Sequence, residues 1–465
     1  MKIQATTREA YDLLHDGILA LQRAESIGLR LDLDYCEQKN RSLTKQITYL
    51  EKKFAESELG VLWKRTHRGN TNYGSGDQLA NVLYKVMKIK STKLTRGGSR
   101  GSTDEDTLKK LGIPELDHFL KIAKLKKLRD TYLGSFLREQ VDGVIHPNFN
   151  LHLTKTFRPS TDHPNFANVP KRDYESMKLC RGAVFPRIGH QFLRGDFGGI
   201  EVKMACCYVQ DPRLIKDVNA GDMHKDMAVE LFKLDGLDKE HKGESRLRQG
   251  AKNGFVFPEF YGDYWGNCVP SLLEWAKEST LKNGKTAWEH LQDKKLIILN
   301  KKGEIKSKAA FEKHVQQVED DFWNVRYKIY SRWKKKWWAQ YQKRGYIEMF
   351  TGFRCGGSVM RQNECINAPF QGSAFHCLLW SIIQLDKIQQ ERGWNSRIVN
   401  QIYDEVMWDA HPDELKKVAR QTKQTATKDL PEHWPWIIVP LEIDIEAGGV
   451  DEAWNAKNEN ELGEF

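Results

Sequence analysis

Residues 401–410, QIYDEVMWDA, set two adjacent carboxylates, Asp404 and Glu405, inside a β-branched and aromatic run. Such a run reads as a strand, in which neighbouring side chains point to opposite faces. At least one of the two carboxylates therefore faces the protein, and a buried carboxylate requires a cation. That cation is either a basic side chain, making a structural ion pair, or a metal ion, making a reaction centre.

A second acidic position lies upstream in FLRGDFGGIEVKMACCYVQDP, residues 192–212, where Asp196 ends an apolar approach and Glu201 follows five residues on. Phosphoryl transfer from a nucleoside triphosphate is commonly served by two Mg²⁺ ions about 4 Å apart, held by a few carboxylates and the substrate's own phosphates. Asp196 and Asp404 are the candidates for those carboxylates. Between them runs RLRQGAKNGFVFPEFYG, residues 246–262, in which Arg248 and Lys252 stand at i and i+4 on one helix face. Two cations a turn apart, followed by aromatic residues, suit a triphosphate and its base, or else form a solvated basic face.

The rest of the chain bounds these readings. Its 465 residues exceed a single small domain, and 40% hydrophobic with 29% charged residues is a globular balance. No apolar run reaches the roughly 18 residues of a membrane span, and MKIQATTREAYDLL has no signal-peptide core, so an intracellular, cytoplasmic protein without a membrane partner is expected. Lys and Arg number 73 against 63 Asp and Glu, and this net charge of +10 favours a polyanionic partner. The eight cysteines include no CxxC pair, which points to reduced, buried thiols.

Along the chain, residues 8–57 read as helical with a break at Gly28, and 91–111 as a basic glycine-rich loop closing on a Ser/Thr helix start. Residues 118–138 read as a basic amphipathic helix, 145–209 as short strands and turns, and 222–232 as a helix capped by Asp222. A helix from 245 is disturbed near Pro258. Residues 268–312 read as a Lys-rich, unpatterned insertion at the surface. Between 322 and 345 aromatic residues recur at helical spacing, either as a core-facing stripe or as a stacking platform.

Taken in order, these segments resemble DNA polymerases of family A, the bacterial DNA polymerase I type. DFGGIEVK (196–203) resembles the first palm motif, RQGAKNGFVFPEFYG (248–262) the fingers motif, and IYDEVMWD (402–409) the second palm motif. TKTFRPSTDHPNFANVP (154–170) is similar to the duplex-binding segment and INAPFQGSA (366–374) to the INAPxQGxA helix. LQRAESIGLRLD (21–32) and GGVDEAW (448–454) extend the likeness over nearly the whole chain.

The resemblance implies an α+β right-hand polymerase: a helical thumb over 1–140, a palm on an antiparallel sheet over 141–212 and 346–465, and helical fingers over 213–345. It implies that Asp196 and Asp404 bind two Mg²⁺ ions together with the carbonyl of Phe197, and that Glu405 supports the primer end or the metal site. Arg248, Lys252 and His224 would meet the triphosphate, with Lys252 counted among the catalytic groups. Glu201 would be the steric gate against a 2′-hydroxyl, and Phe257 and Tyr261 would face the nucleotide and the template base. Arg158, Asn165, Asn168, Gln371 and Gln401 would contact primer-template DNA. The expected activity is templated addition of dNTPs to a primer in replication or repair. No proofreading site is expected in this polypeptide, which leaves room for a separate exonuclease or processivity protein.

Four departures qualify that picture. Gly198 and Gly199 replace Ser and Gln of the first palm motif and Lys203 replaces Arg, while Tyr403 stands where His is usual. Asn363 takes the place of an arginine in the segment before INAP. In the fingers motif Phe257 keeps its four-residue gap to Tyr261 but stands five residues after Lys252. One extra residue is expected between Lys252 and Phe257, absorbed as a π-bulge.

Overall fold

The structure is a computed structural model that describes residues 4–454, 460 and 461, apart from 92, 96, 97, 99, 172, 302, 357 and 358. At its centre the strand Gln191–Phe197 lies between Glu405–Ala410 and Ile443–Ala447, all antiparallel. Arg397–Ile402 and Asn460–Glu461 form the two edges of this five-stranded sheet.

The alternation of the central strand assigns its two faces. Leu193 and Phe197 enter the main core together with Trp408 and Ile445. Gly195 lies between them, where a Cβ would stand 3.0 Å from Ile443 and 3.1 Å from Thr422 of the covering helix Leu415–Gln424. On the opposite face Phe192 joins a second core with Val399 and Met407. Arg194 and Asp196 continue that face toward solvent, so its apolar end anchors the sheet and its charged end is left for chemistry.

Helices surround the sheet. The 30-residue helix Gln362–Glu391 is buried along most of its length. Helix Thr7–Ile27 crosses it so closely that a Cβ on Gly17 would meet Leu379 at 2.7 Å, and Arg23 Nε donates to Asp386 at 2.8 Å. Residues between Ile47 and Ile122 form a third, separate core around Phe54 and Trp63. The break at Gly28 leads into a short strand, Leu29–Leu31, before the helix Leu33–Glu56.

Several sequence expectations need correction. Residues 145–209 contain short strands as expected, but also the helices Tyr174–Arg181 and Ile200–Val209. The glycine-rich loop falls partly outside the described residues, and its following helix Glu105–Lys110 is capped by Asp104, not by Ser or Thr. The 268–312 segment is patterned: it carries helices Trp265–Lys277 and Ala287–Asp293 and a two-stranded hairpin, and it places Leu272, Leu273 and Leu291 in the main core. Its lysines had hidden apolar residues at helical spacing. The aromatic stripe takes the core-facing alternative, with Trp323, Tyr330 and Tyr341 buried.

Candidate active site

Sheet register brings the acidic residues together. Asp196 pairs directly with Glu405 on one side and Asp444 on the other, so all three side chains project from one face. Asp404 occupies the two-residue turn between Ile402 and Glu405. Tyr403 before it adopts a left-handed φ of 56°, an unusual conformation for a large side chain. Two hydrogen bonds hold the turn: Gln401 Nε2 donates to the Tyr403 carbonyl at 2.6 Å, and the Phe197 N–H donates to the Asp404 carbonyl at 3.2 Å. The second bond ties Asp404 to the end of the strand that carries Asp196.

Adjacent carboxylates part company here. Glu405 is buried, and its cation is Arg194, whose Nη1 lies 3.3 Å from Oε2. Arg194 also pairs with Glu446. Asp404 turns instead toward Asp196 and Glu201. Burial pushes its carboxyl up to about 6, and the neighbouring Asp196 charge adds to the rise. Burial also raises Asp196, against the pull of Lys171, whose Nζ is 3.9 Å away, and of Arg194. Two partly buried carboxylates that burial holds against ionising, with hard oxygen donors and Lys171 only at the edge of ion-pair range, fit a divalent cation of the Mg²⁺ kind. Among the described residues no cluster of three or more His, Cys, Asp or Glu side chains is arranged around an ion. The remaining ligands of such an ion would therefore be backbone oxygen, water and substrate phosphate.

The second half of the site is built from two helix ends. Asp222 caps helix Met223–Phe232 by accepting from Lys225 N, and its carboxylate also receives Arg248 Nε at 2.9 Å and Lys239 Nζ at 2.6 Å. Burial pushes the Asp222 carboxyl up, but those two cations hold it well below the usual range. His224 stands two residues on, its ring edge-on to Phe257 at 5.8 Å, and Lys252 Nζ lies 5.2 Å from the centre of the same Phe257 ring. Burial, then the charges of Lys252 and Arg248, push His224 down to about 4, so at neutral pH it is an uncharged donor or acceptor. Its Nδ1 is buried and has no partner among the described residues. Burial and Arg248 likewise lower the Lys252 ammonium. This crowd of cations with an orphaned ring nitrogen is what a polyanion would relieve.

The expected π-bulge is present: helix Lys242–Ala251 passes into a π turn over Lys252–Val256, then into Phe257–Phe260. The extra residue turns Phe255 and Val256 into the core and leaves Phe257 and Tyr261 on the open side. Phe257 and Tyr261 line a cleft of about 660 Å³ with Asn363, Asn367 and Gln371. The Tyr261 hydroxyl donates to Glu201, whose other oxygen receives Arg158 Nη1 at 3.0 Å. Glu201, in the first turn of helix Ile200–Val209, thus links Arg158 to Tyr261 at the end of the segment Phe257–Phe260.

Asn165 and Asn168 project from an exposed turn pinned by buried Phe166 and by Tyr132, whose hydroxyl donates to the Asn168 carbonyl at 2.7 Å. Gln401 differs from the other expected DNA contacts: only 1% of its surface is open, and its amide braces the Tyr403 turn. Sequence reasoning passed over Lys171, Arg194, Asp444 and Glu446. The alternation in IDIEA, residues 443–447, was a readable sign of the last two.

The profile of DNA polymerase family A matches residues 33–264 and 304–455. DNA polymerase I of Geobacillus stearothermophilus is 24% identical over 437 residues, covering 93% of this chain and 44% of that protein. DNA polymerase I of Aquifex aeolicus is 25% identical over 385 residues, 82% of this chain and 58% of that protein. The chain thus spans about half the length of the curated relatives it matches. In three dimensions it is similar to the POL domain of Pol1 from M. smegmatis, solved in complex with DNA primer-template and dNTP. The TM-score is 0.70 at 23% identity, over 94% of this chain and 70% of that one. The likeness establishes the α+β right-hand architecture. With the profile matched on both sides of a gap at 265–303, over most of its length, the chain belongs to DNA polymerase family A.

Proposed function

We propose that this chain is a template-directed DNA polymerase that adds dNTPs to a primer 3′-hydroxyl. The observation that carries the reading is that Asp404 lies beside Asp196 and Glu201, while Glu201 is hydrogen-bonded to Tyr261, whose neighbour Phe257 packs against His224 and Lys252. Residues 1–140 serve as thumb, 141–212 with 346–465 as palm, and 213–345 as fingers.

Asp196, Asp404 and the Phe197 carbonyl would hold two Mg²⁺ ions, which when bound supply charge neutralisation and a more acidic nucleophile. The chain's own residues do the rest. Arg248 leaves Asp222 for the triphosphate, with His224 offering an uncharged ring nitrogen to the same oxygens. Lys252 places its ammonium, acidified by burial, where charge grows on departing pyrophosphate. Phe257 stacks on the incoming base. Glu201, fixed between Arg158 and Tyr261, occupies the space under the sugar that a 2′-hydroxyl needs. Glu405 holds Arg194 beneath Asp196 and so fixes the strand pair on which both aspartates depend. Asn165, Asn168 and Gln371 lie open to contact the primer-template.

The test is primer extension with dNTPs and rNTPs on the same primed template. The reading predicts incorporation of the complementary dNTP with strong exclusion of its ribonucleotide, and a Glu201→Ala variant that relaxes that exclusion. Absence of extension under all divalent ions would reject it.

A further inference from the structure

The helix segment that carries Phe257 and Tyr261 has a weak backbone of its own. It spans only Phe257–Phe260, follows a π turn, and contains Pro258, which has no N–H to give. Its orientation must come from the side facing away from the cleft. On that side Glu259 is completely buried, which for a carboxylate demands compensation.

Three other elements supply it. Trp323, from a second π turn over Phe322–Arg326, donates its indole N–H to Glu259 Oε2 at 2.8 Å. Glu319 of helix Ala309–Asp321 shares a hydrogen bond with Glu259 and accepts from the Trp265 N–H at 3.1 Å. Lys334 of the next helix lies 3.0 Å from the centre of the Trp323 ring and faces both carboxyls. Cys268 Sγ stands 3.9 Å from Glu259 Oε1. The two π turns are packed face to face, Phe255 edge-on to Phe322 at 5.5 Å.

We propose that Glu259 is a positioning residue: a proton shared with Glu319 locks the reverse side of the nucleotide helix to the fingers and thereby sets Phe257 and Tyr261 for the incoming dNTP. The inference rests on the polymerase reading above. Two carboxyls in a shared bond need one proton, which Glu259 donates while Glu319, already accepting from Trp265, stays ionised. With the Lys334 cation the trio is then neutral. Burial is the larger influence on Glu259, pushing it up to about 8, and burial likewise pushes Lys334 down to about 8. The other charged groups near the cluster are Asp263 beside Cys268, Asp320 beside Glu319, and Lys335 beside Lys334. Loss of the proton in alkali places two carboxylates together and loosens the lock.

The experiment is single-nucleotide incorporation on a primed template, with KM for dNTP and kcat measured separately from about pH 7 to about pH 9. The wild type should show KM rising with pH. Glu259→Gln, which keeps an acceptor for Trp323 and a donor for Glu319, should hold the low KM throughout. Glu259→Ala should raise KM by about fivefold at every pH, the weight of one hydrogen bond, with kcat changed less. If Glu259→Ala proves unfolded by thermal melting, Trp323→Phe removes only the indole donor and should raise KM in the same way. A wild-type KM in the folded Ala or Phe variant, or a wild-type pH profile in Glu259→Gln, would overturn the inference while leaving the polymerase reading intact. A wild type that extends no primer would bring down both.

Discussion

Asp404 sits where burial and a like charge both oppose its ionisation, and this has a measurable cost in stability. Its folded value of about 6 lies above that of an unfolded aspartate, near 4, so between those values the folded protein binds more protons. Stability of the metal-free protein therefore falls as pH rises through that window and stays reduced above it. Asp404→Asn removes the charge and should stabilise the metal-free protein above about pH 6 by roughly 3 kcal/mol, with the difference vanishing below about pH 4. Thermal unfolding across pH reads this directly, and added Mg²⁺ should raise the wild type alone. At Phe257 the open side of the ring lacks a hydroxyl. Phe257→Tyr should improve acceptance of dideoxynucleotides by about fivefold, the weight of one added hydrogen bond, measured as the ratio of dideoxy to deoxy incorporation. Both residues stood out in the sequence because the chemistry proposed for them fixes residue type and spacing. Gln401 was less so: its motif position suggested a DNA contact, whereas the fold buries it under the strained turn at Tyr403.

At the scale of elements, the cationic helix is held from behind by the segment that the family profile passes over. A Cβ on Gly250 would meet the Trp275 side chain at 2.7 Å, and one on Gly254 would meet Ser271 at 3.1 Å. Helix Trp265–Lys277 therefore docks through glycines onto the helix Lys242–Ala251 and the π turn that follows it, and Gly250→Val should destabilise the protein by about 1–3 kcal/mol through overpacking. Denaturant unfolding gives that number, and dNTP affinity should fall with it. This packing was hard to read beforehand, because an internal proline, Pro270, interrupts the spacing of Val269, Leu272, Leu273 and Ala276. The single-residue expansion between Lys252 and Phe257 was readable, since the intact gap from Phe257 to Tyr261 located it. Helix Ile200–Val209 was missed for a different reason: Ile200, Val202 and Val209 favour a strand reading, whereas Glu201, Lys203, Met204 and Ala205 support the helix that begins after the left-handed Gly199.

Among the described residues the apolar side chains form three cores, and the one between Ile47 and Ile122 is separate from the two that support the sheet. A lobe with its own core can open without disturbing the site. Trp63→Ala, emptying the centre of that lobe, should cost about 3–5 kcal/mol locally. Hydrogen exchange should then rise in residues 47–122 while protection of the central sheet persists. The site itself depends on the sheet, where two aspartates 208 positions apart in sequence are joined by one antiparallel pairing. The most direct measurement is single-turnover incorporation of a complementary dNTP by Asp196→Asn and Asp404→Asn with Mg²⁺. Each variant should lose at least about a thousandfold in rate while binding primer-template as tightly as the wild type; extension at a comparable rate by either would contradict the account.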